Sequence, residues 1–288
     1  MPCSTTGVDA AGTPCQTKLH MPRTWEYSAG AEREVLPGIA LSGDFVYRLF
    51  THPYETLETN RIWNTSGSDL DTVSGYRNGR AVTVSDLETP SGAKREYLGF
   101  TLGLNKREGR FKAYFGYTLS YLRGNVSDAI DNPYGNIGPR DPLLWGYLPD
   151  DSRHNIRGEL TYHITSWASV GMLYDYHSGS PYYHRFLNAR TLGYDDYRAQ
   201  SGINPGANVN DPTDDRALRL PDTQVVNFQG RINWKPLLKI DLETYVDVLN
   251  ALGLRTTLLA QNNDGPDWGT QQLRMAPFHL RLGMRYHY

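Results

Sequence analysis

Nine stretches of this chain place a large apolar residue at every second position, and the last of them runs to the final residue. In FHLRLGMRYHY, residues Phe278, Leu280, Leu282, Met284, Tyr286 and Tyr288 alternate with His279, Arg281, Gly283, Arg285 and His287. A period of two is that of a β-strand with one face in an apolar medium and the other in a polar one. The same pattern holds Trp25, Tyr27, Ala29, Ala31 and Val35, and then Ile39, Leu41, Phe45, Tyr47 and Leu49. It returns in YLGFTLGL, in RFKAYFGYTLSYL and in HNIRGELTYHI, where Ile156, Leu160, Tyr162 and Ile164 oppose Arg157, Glu159, Thr161 and His163. ASVGMLYDYH, TQVVNFQGRINW and IDLETYVDVLN complete the set.

The medium is decided by length and by connections. Each stretch has about 11 to 13 residues; 11 residues at about 3.3 Å each reach about 36 Å. Tilted by about 40°, that projects to roughly 28 Å, enough to cross the ~25 Å apolar band of an outer membrane. Strands of soluble sandwiches are nearer five or six residues. Short joints (Leu36-Pro37-Gly38, Lys106 to Arg110, Thr165-Ser166-Trp167, Lys235 to Leu238) alternate with long ones near 51–95, 123–153, 178–221 and 251–276, rich in Gly, Pro, Asn and Asp. Transmembrane barrels have this asymmetry, with short periplasmic turns and long extracellular loops. Arg80 to Glu88 has β character inside the first long joint, and counting it as a span would break the alternation; it is read as loop structure. The expected fold is all-β: an antiparallel transmembrane meander of about nine strands forming a partial, open outer-membrane barrel. Its apolar face should carry Leu98, Phe100, Phe115, Tyr162, Met172, Phe228 and Leu282, and its polar face Arg157, Glu159, Asp241, Glu243 and Arg281.

Composition narrows the function classes. A formal charge of -2 argues against a nucleic-acid partner held by bulk electrostatics. No apolar run approaches the roughly 18 residues of a spanning helix. The eight histidines have no zinc-motif spacing, no catalytic constellation stands out, and no cofactor is expected. Asp211 to Arg216 and Asn262 to Gly269 carry oxygen ligands suited to calcium, without EF-hand spacing; solvated turns have the same composition. Cys3 and Cys15 are either a disulfide closing a short loop, worth roughly 3 kcal/mol, or two free thiols.

Several stretches, in order, resemble the C-terminal barrel of TonB-dependent outer-membrane receptors, in particular the Oar-like subgroup. They are LPDDSRHNIRGELTYHI (Leu148 to Ile164), YHSGSPYY (Tyr176 to Tyr183), LPDTQVVNFQGRINW (Leu220 to Trp234), DVLNAL (Asp247 to Leu252) and the closing strand. The resemblance spans roughly Met21 to Tyr288. It implies energised uptake of a scarce ligand by the intact protein, and no enzymatic activity. It also implies that the closing strand is an address read by the barrel-assembly machinery, carried by Leu280, Leu282, Met284, Tyr286 and the terminal aromatic Tyr288. Family members are far longer, with a signal peptide, a TonB box, a plug domain and 22 strands, none of which is visible here. The expectation is therefore a C-terminal segment: residues 1–23 the remnant of an extracellular loop, and 24–288 barrel. Its partners are outer-membrane lipid, the assembly machinery, a missing N-terminal barrel and plug and, only through those, TonB. A small structural or adhesin-like barrel without transport is the alternative; a soluble β-sandwich binding module is a third class.

Overall fold

The computed structural model describes residues 19–58, 60–64, 72–82, 85–89, 92–125, 146–148, 150–181, 186–188, 193–195, 219–261, 266–267 and 269–286, and every absence noted below concerns these. Nine long strands run through them: β1 (Arg23–Leu36), β2 (Ile39–Thr51), β3 (Lys94–Lys106), β4 (Phe111–Gly124), β5 (His154–His163), β6 (Ala168–His177), β7 (Thr223–Asn233), β8 (Leu242–Leu249) and β9 (His279–Tyr286). Each pairs antiparallel with its sequence neighbours, in one sheet of order β1 to β9. A two-residue strand, Gly146–Tyr147, adds to the free end of β4. β1 and β9 each have one partner, so the sheet is open.

The turns follow from their residues. Pro37-Gly38 closes the β1–β2 hairpin, with Gly38 at φ 73° and its N–H donating to Glu34 Oε1 at 2.8 Å. Gly109, at φ 85°, does the same service between β3 and β4. The joint at Lys235 to Leu238, expected as a plain tight turn, is one turn of α-helix: Pro236 sits in its first turn, where its missing N–H costs nothing, and Lys239 ends it in the left-handed region at φ 58°. That turn delays β8 by two residues. Asp241, expected on the polar face of the strand, lies before it and pairs with Lys235 at 2.5 Å.

The long connections carry their own short ladders. Glu55–Glu58 pairs with Ser85–Glu88, and Arg61–Asn64 with Thr72–Tyr76, both outside the main sheet. The β character of Arg80 to Glu88 is therefore realised within the loop, without adding a span. Thr257–Ala260 and Gln271–Arg274 form a third such pair.

Register sorts the side chains. On one face, Ala113, Leu160, Met172, Phe228, Val248 and Leu280 form a row across six strands, and Phe111, Tyr162, Val170, Gly230, Val246 and Leu282 form the next. On the other, Lys112, Thr161, Gly171, Gln229, Asp247 and Arg281 lie in register. No apolar side chain of the nine strands is buried: the buried apolar residues are Ala93, Tyr147, Leu148 and Ala260, all in the connections. Phe100, Leu102, Phe115, Phe228 and Leu282 are 46, 60, 47, 45 and 70 % exposed. A soluble sandwich would bury these residues against a second sheet, and there is none among the described residues.

Candidate functional site

The apolar face is the first functional feature. Aliphatic and Phe side chains make up most of its middle, with Tyr117 among them. Tyr27, Tyr47 and Tyr121 gather toward the long-loop end, and Phe111, Tyr162 and Tyr286 toward the turn end. Two aromatic levels about an aliphatic band are the pattern of a surface in lipid, where amphipathic rings sit at the two interfaces. Tyr27 and Tyr47 lie face to face at 6.3 Å, and Phe45 and Phe100 meet at 5.0 Å.

β9 presents Leu280, Leu282, Met284 and Tyr286 on that face, 59, 70, 77 and 61 % exposed, opposite Val248, Val246, Thr244 and Leu242 of β8. Tyr288, Cys3, Cys15 and the segment Asp211 to Arg216 lie outside the described residues, as does most of Asn262 to Gly269.

The polar face pairs its charges across strands. Arg281 reaches Asp247 at 2.5 Å, and Gln229 donates to the same carboxylate at 2.7 Å. Arg231 meets Glu243 at 3.1 Å and Arg48 meets Glu26 at 2.6 Å, while Arg157 meets Glu159 at 2.9 Å along the same strand. Asp247 is 3 % exposed, so its neighbours shield it from water while leaving it fully bonded. Three tyrosines on this face lie down over glycines instead of projecting. A Cβ at Gly99 would stand 2.6 Å from Tyr97 Oη, one at Gly116 would stand 2.7 Å from Tyr114 Oη, and one at Gly283 would strike the ring of Tyr245. The first two are Tyr-x-Gly in sequence, a signal that alternation does not carry; the third crosses strands and needs the register to be seen.

At the long-loop end the polar residues build a clasp. Asp151, 1 % exposed, accepts from the Leu122 N–H at 2.7 Å and from Arg219 at 2.5 Å. Arg219 also donates to the carbonyls of Asp151 and Gly179, at 3.2 and 2.9 Å. Its guanidinium, with those of Arg123 and Arg153, surrounds the ring of Tyr147 at 5.3, 4.5 and 4.8 Å. The SGSP stretch enters here: Gly179 packs so tightly on Leu220 that any side chain would strike the Leu220 carbonyl, and its N–H donates to Asp222 at 3.0 Å. In DVLNAL, Asn250 sits at φ 48° and its Nδ2 donates to the carbonyls of Leu254 and Ala276, both at 2.8 Å, closing the base of the last loop. The quoted motifs thus hold loop bases to strand ends. Among the described residues no group of three His, Cys, Asp or Glu is placed to hold a metal, and no helix is long and apolar enough to cross a membrane.

No family model and no curated protein matches the chain. Solved structures do. The outer membrane transporter YddB from Escherichia coli superposes with a TM-score of 0.58 at 12% identity, over 93% of this chain and 33% of that one. The FrpB iron transporter from Neisseria meningitidis gives 0.55 at 13% identity, over 93% and 32%. The ferripyoverdine receptor of the outer membrane of Pseudomonas aeruginosa gives 0.52 at 12% identity, over 99% and 29%. The chain spans about a third of the length of these proteins. Its fold is that of part of the barrel wall of these outer-membrane transporters and receptors.

Proposed function

We propose that this chain forms part of the wall of an outer-membrane transporter, whose intact form takes up a scarce ligand with energy delivered through TonB. The observation that carries the reading is the sheet itself. Its spans have one apolar face with no protein cover, opposite a face of cross-strand ion pairs. In water the first face would be a large aggregation surface; in lipid it is the required one, because the charges in the middle of the spans are on the other side, and those in register with the apolar face, such as Arg33 opposite Leu41 and Glu96 opposite Leu49, lie within three residues of a strand end. The neighbours support transport as the task of such a wall, since two are named as an iron transporter and an outer membrane transporter and the third as a ferripyoverdine receptor. Ligand choice, gating and TonB coupling fall to a plug and further strands beyond residues 24–288. On this reading the long connections face the exterior, and residues 1–23, with Cys3 and Cys15, belong to an exterior loop. The alternation of Leu280, Leu282, Met284, Tyr286 and Tyr288 is the address for barrel assembly.

The test is to export the full chain behind a signal sequence and treat whole cells with trypsin. Carbonate-washed outer membranes should retain the chain, and cleavage should fall in the four long connections. Cleavage at Lys106 to Arg110 or at Lys239 in intact cells contradicts the topology.

A further inference from the structure

Two histidines far apart in sequence stand together where β1 begins and β2 ends. Arg23 pairs with Thr51, so the residues just before β1 and just after β2 leave the sheet side by side at its long-loop end. The rings of His20 and His52 meet there, with centroids 5.8 Å apart and planes tilted by 58°. Each is positioned by a bond of its own. The backbone N–H of His20 donates to Thr89 Oγ1 at 3.0 Å, just after the loop strand Ser85–Glu88. His52 Nδ1 lies 3.2 Å from Thr51 Oγ1. His52 also holds φ at 57°, in the left-handed region. Two other non-glycine residues among those described share that region: Lys239 ends the helical turn, and Asn250 closes the base of the last loop. His52 belongs to no turn or helix. Such a backbone persists only where its surroundings hold it, characteristically at binding and active sites.

A metal-ligating imidazole commonly donates its second ring N–H to an oxygen, which fixes the tautomer and makes the other nitrogen a better ligand. An Nδ1–H donated to Thr51 Oγ1 leaves the His52 lone pair on Nε2. The ring separation suits a shared ion. A metal–nitrogen bond of about 2.0–2.1 Å puts a ligating ring's centroid roughly 3.2 Å from the ion, so two rings stand about 5.2 Å apart at a tetrahedral angle and about 6.4 Å apart in line. The observed 5.8 Å falls between these. We propose that His20 and His52 form a binding site for a late first-row divalent ion. Copper(II) binds most tightly, since imidazole suits copper, nickel and zinc, and affinity peaks at copper. Two protein ligands are fewer than the three of a catalytic zinc site or the four of a structural one. The ion therefore keeps open positions for water or for donors that arrive with it, as at a site of capture and release. Magnesium and calcium, which take oxygen ligands, do not compete. The site is read from these residues alone; only its place on the cell exterior rests on the transporter reading.

The test uses the full chain in a Cys3→Ser, Cys15→Ser background, folded into phosphatidylcholine bilayers and titrated with copper(II) chloride under electron paramagnetic resonance. The first copper bound should show superhyperfine splitting from two imidazole nitrogens. His20→Ala and His52→Ala should each lower its affinity by about tenfold or more and leave at most one nitrogen. His163→Ala, at the turn end of β5, should change neither. His52→Asn separates ligand from backbone: asparagine tolerates the left-handed region, so this variant should unfold in guanidinium as the parent does and still lose the copper. A first-bound copper with one or no imidazole nitrogen, or an affinity unchanged in both His20→Ala and His52→Ala, overturns the site. Carbonate washing of outer membranes is a separate readout: a chain washed out overturns the transporter reading and leaves the copper site standing, and a retained chain that binds no copper overturns only the site.

Discussion

Phe228→Arg places the membrane reading under direct load. Phe228 is the middle residue of the 11-residue β7, 45 % exposed, in register between Met172 and Val248 on the apolar face. If that face lies in lipid, arginine there sits near the bilayer midplane and costs about 2–4 kcal/mol, roughly 30- to 700-fold in the folded population. The control is its neighbour. Gln229 points to the other face and donates to Asp247 at 2.7 Å, so Gln229→Arg keeps a donor beside that carboxylate. Its effect should stay within about 0.5 kcal/mol, as for most exposed substitutions. The assay is a guanidinium titration of the chain folded into phosphatidylcholine bilayers, read by tryptophan fluorescence. A Phe228→Arg loss under about 0.5 kcal/mol, or one equalled by Gln229→Arg, refutes the assignment of faces.

Three further outcomes follow from the geometry. Asp151→Ala should cost about 3–5 kcal/mol, because it leaves the Arg219 guanidinium and the Leu122 N–H without their buried acceptor; hydrogen exchange at the loop ends of β4 and β5 should quicken, and unchanged protection there would count against the clasp. Gly179→Ala, which drives a methyl group into the Leu220 carbonyl, should cost about 3 kcal/mol and quicken hydrogen exchange at the loop ends of β6 and β7; unchanged protection there would count against the contact. Gly283→Ala should destabilise by about 1 kcal/mol in the wild-type background and by nearly nothing beside Tyr245→Ala, since the conflict is with that ring; additive losses in the double-mutant cycle would refute the contact.

The spans were legible because lipid and lumen impose a period of two that little else disturbs. The row from Ala113 to Leu280 follows from alternation alone once neighbours pair. The turn at Lys235 was less legible: a strand pattern running through IDLETYV does not reveal that Lys239 turns left-handed and spends two residues before β8 begins. The clasp was hidden for another reason. Asp151 and Arg219 are 68 residues apart, and only strand pairing brings them to one loop end. The resemblance covers Asp151 and begins again one residue after Arg219, without saying what either does. Asn250 shows the same limit, since its bond to Ala276 spans 26 residues.

The central claim is that orientation, rather than residue type, decides which side chains meet lipid, and the neighbours Met172 and Leu173 isolate it. Both are apolar and adjacent; Met172 lies in register with Leu160 and Phe228, and Leu173 with Glu159 and Asn227. Met172→Cys and Leu173→Cys, each in a Cys3→Ser, Cys15→Ser background and labelled with an environment-sensitive fluorophore, are measured in bilayers against doxyl-labelled lipid and aqueous iodide. The account predicts strong lipid quenching at 172 and iodide quenching at 173. Equal quenching at the two positions, or the reverse order, contradicts it.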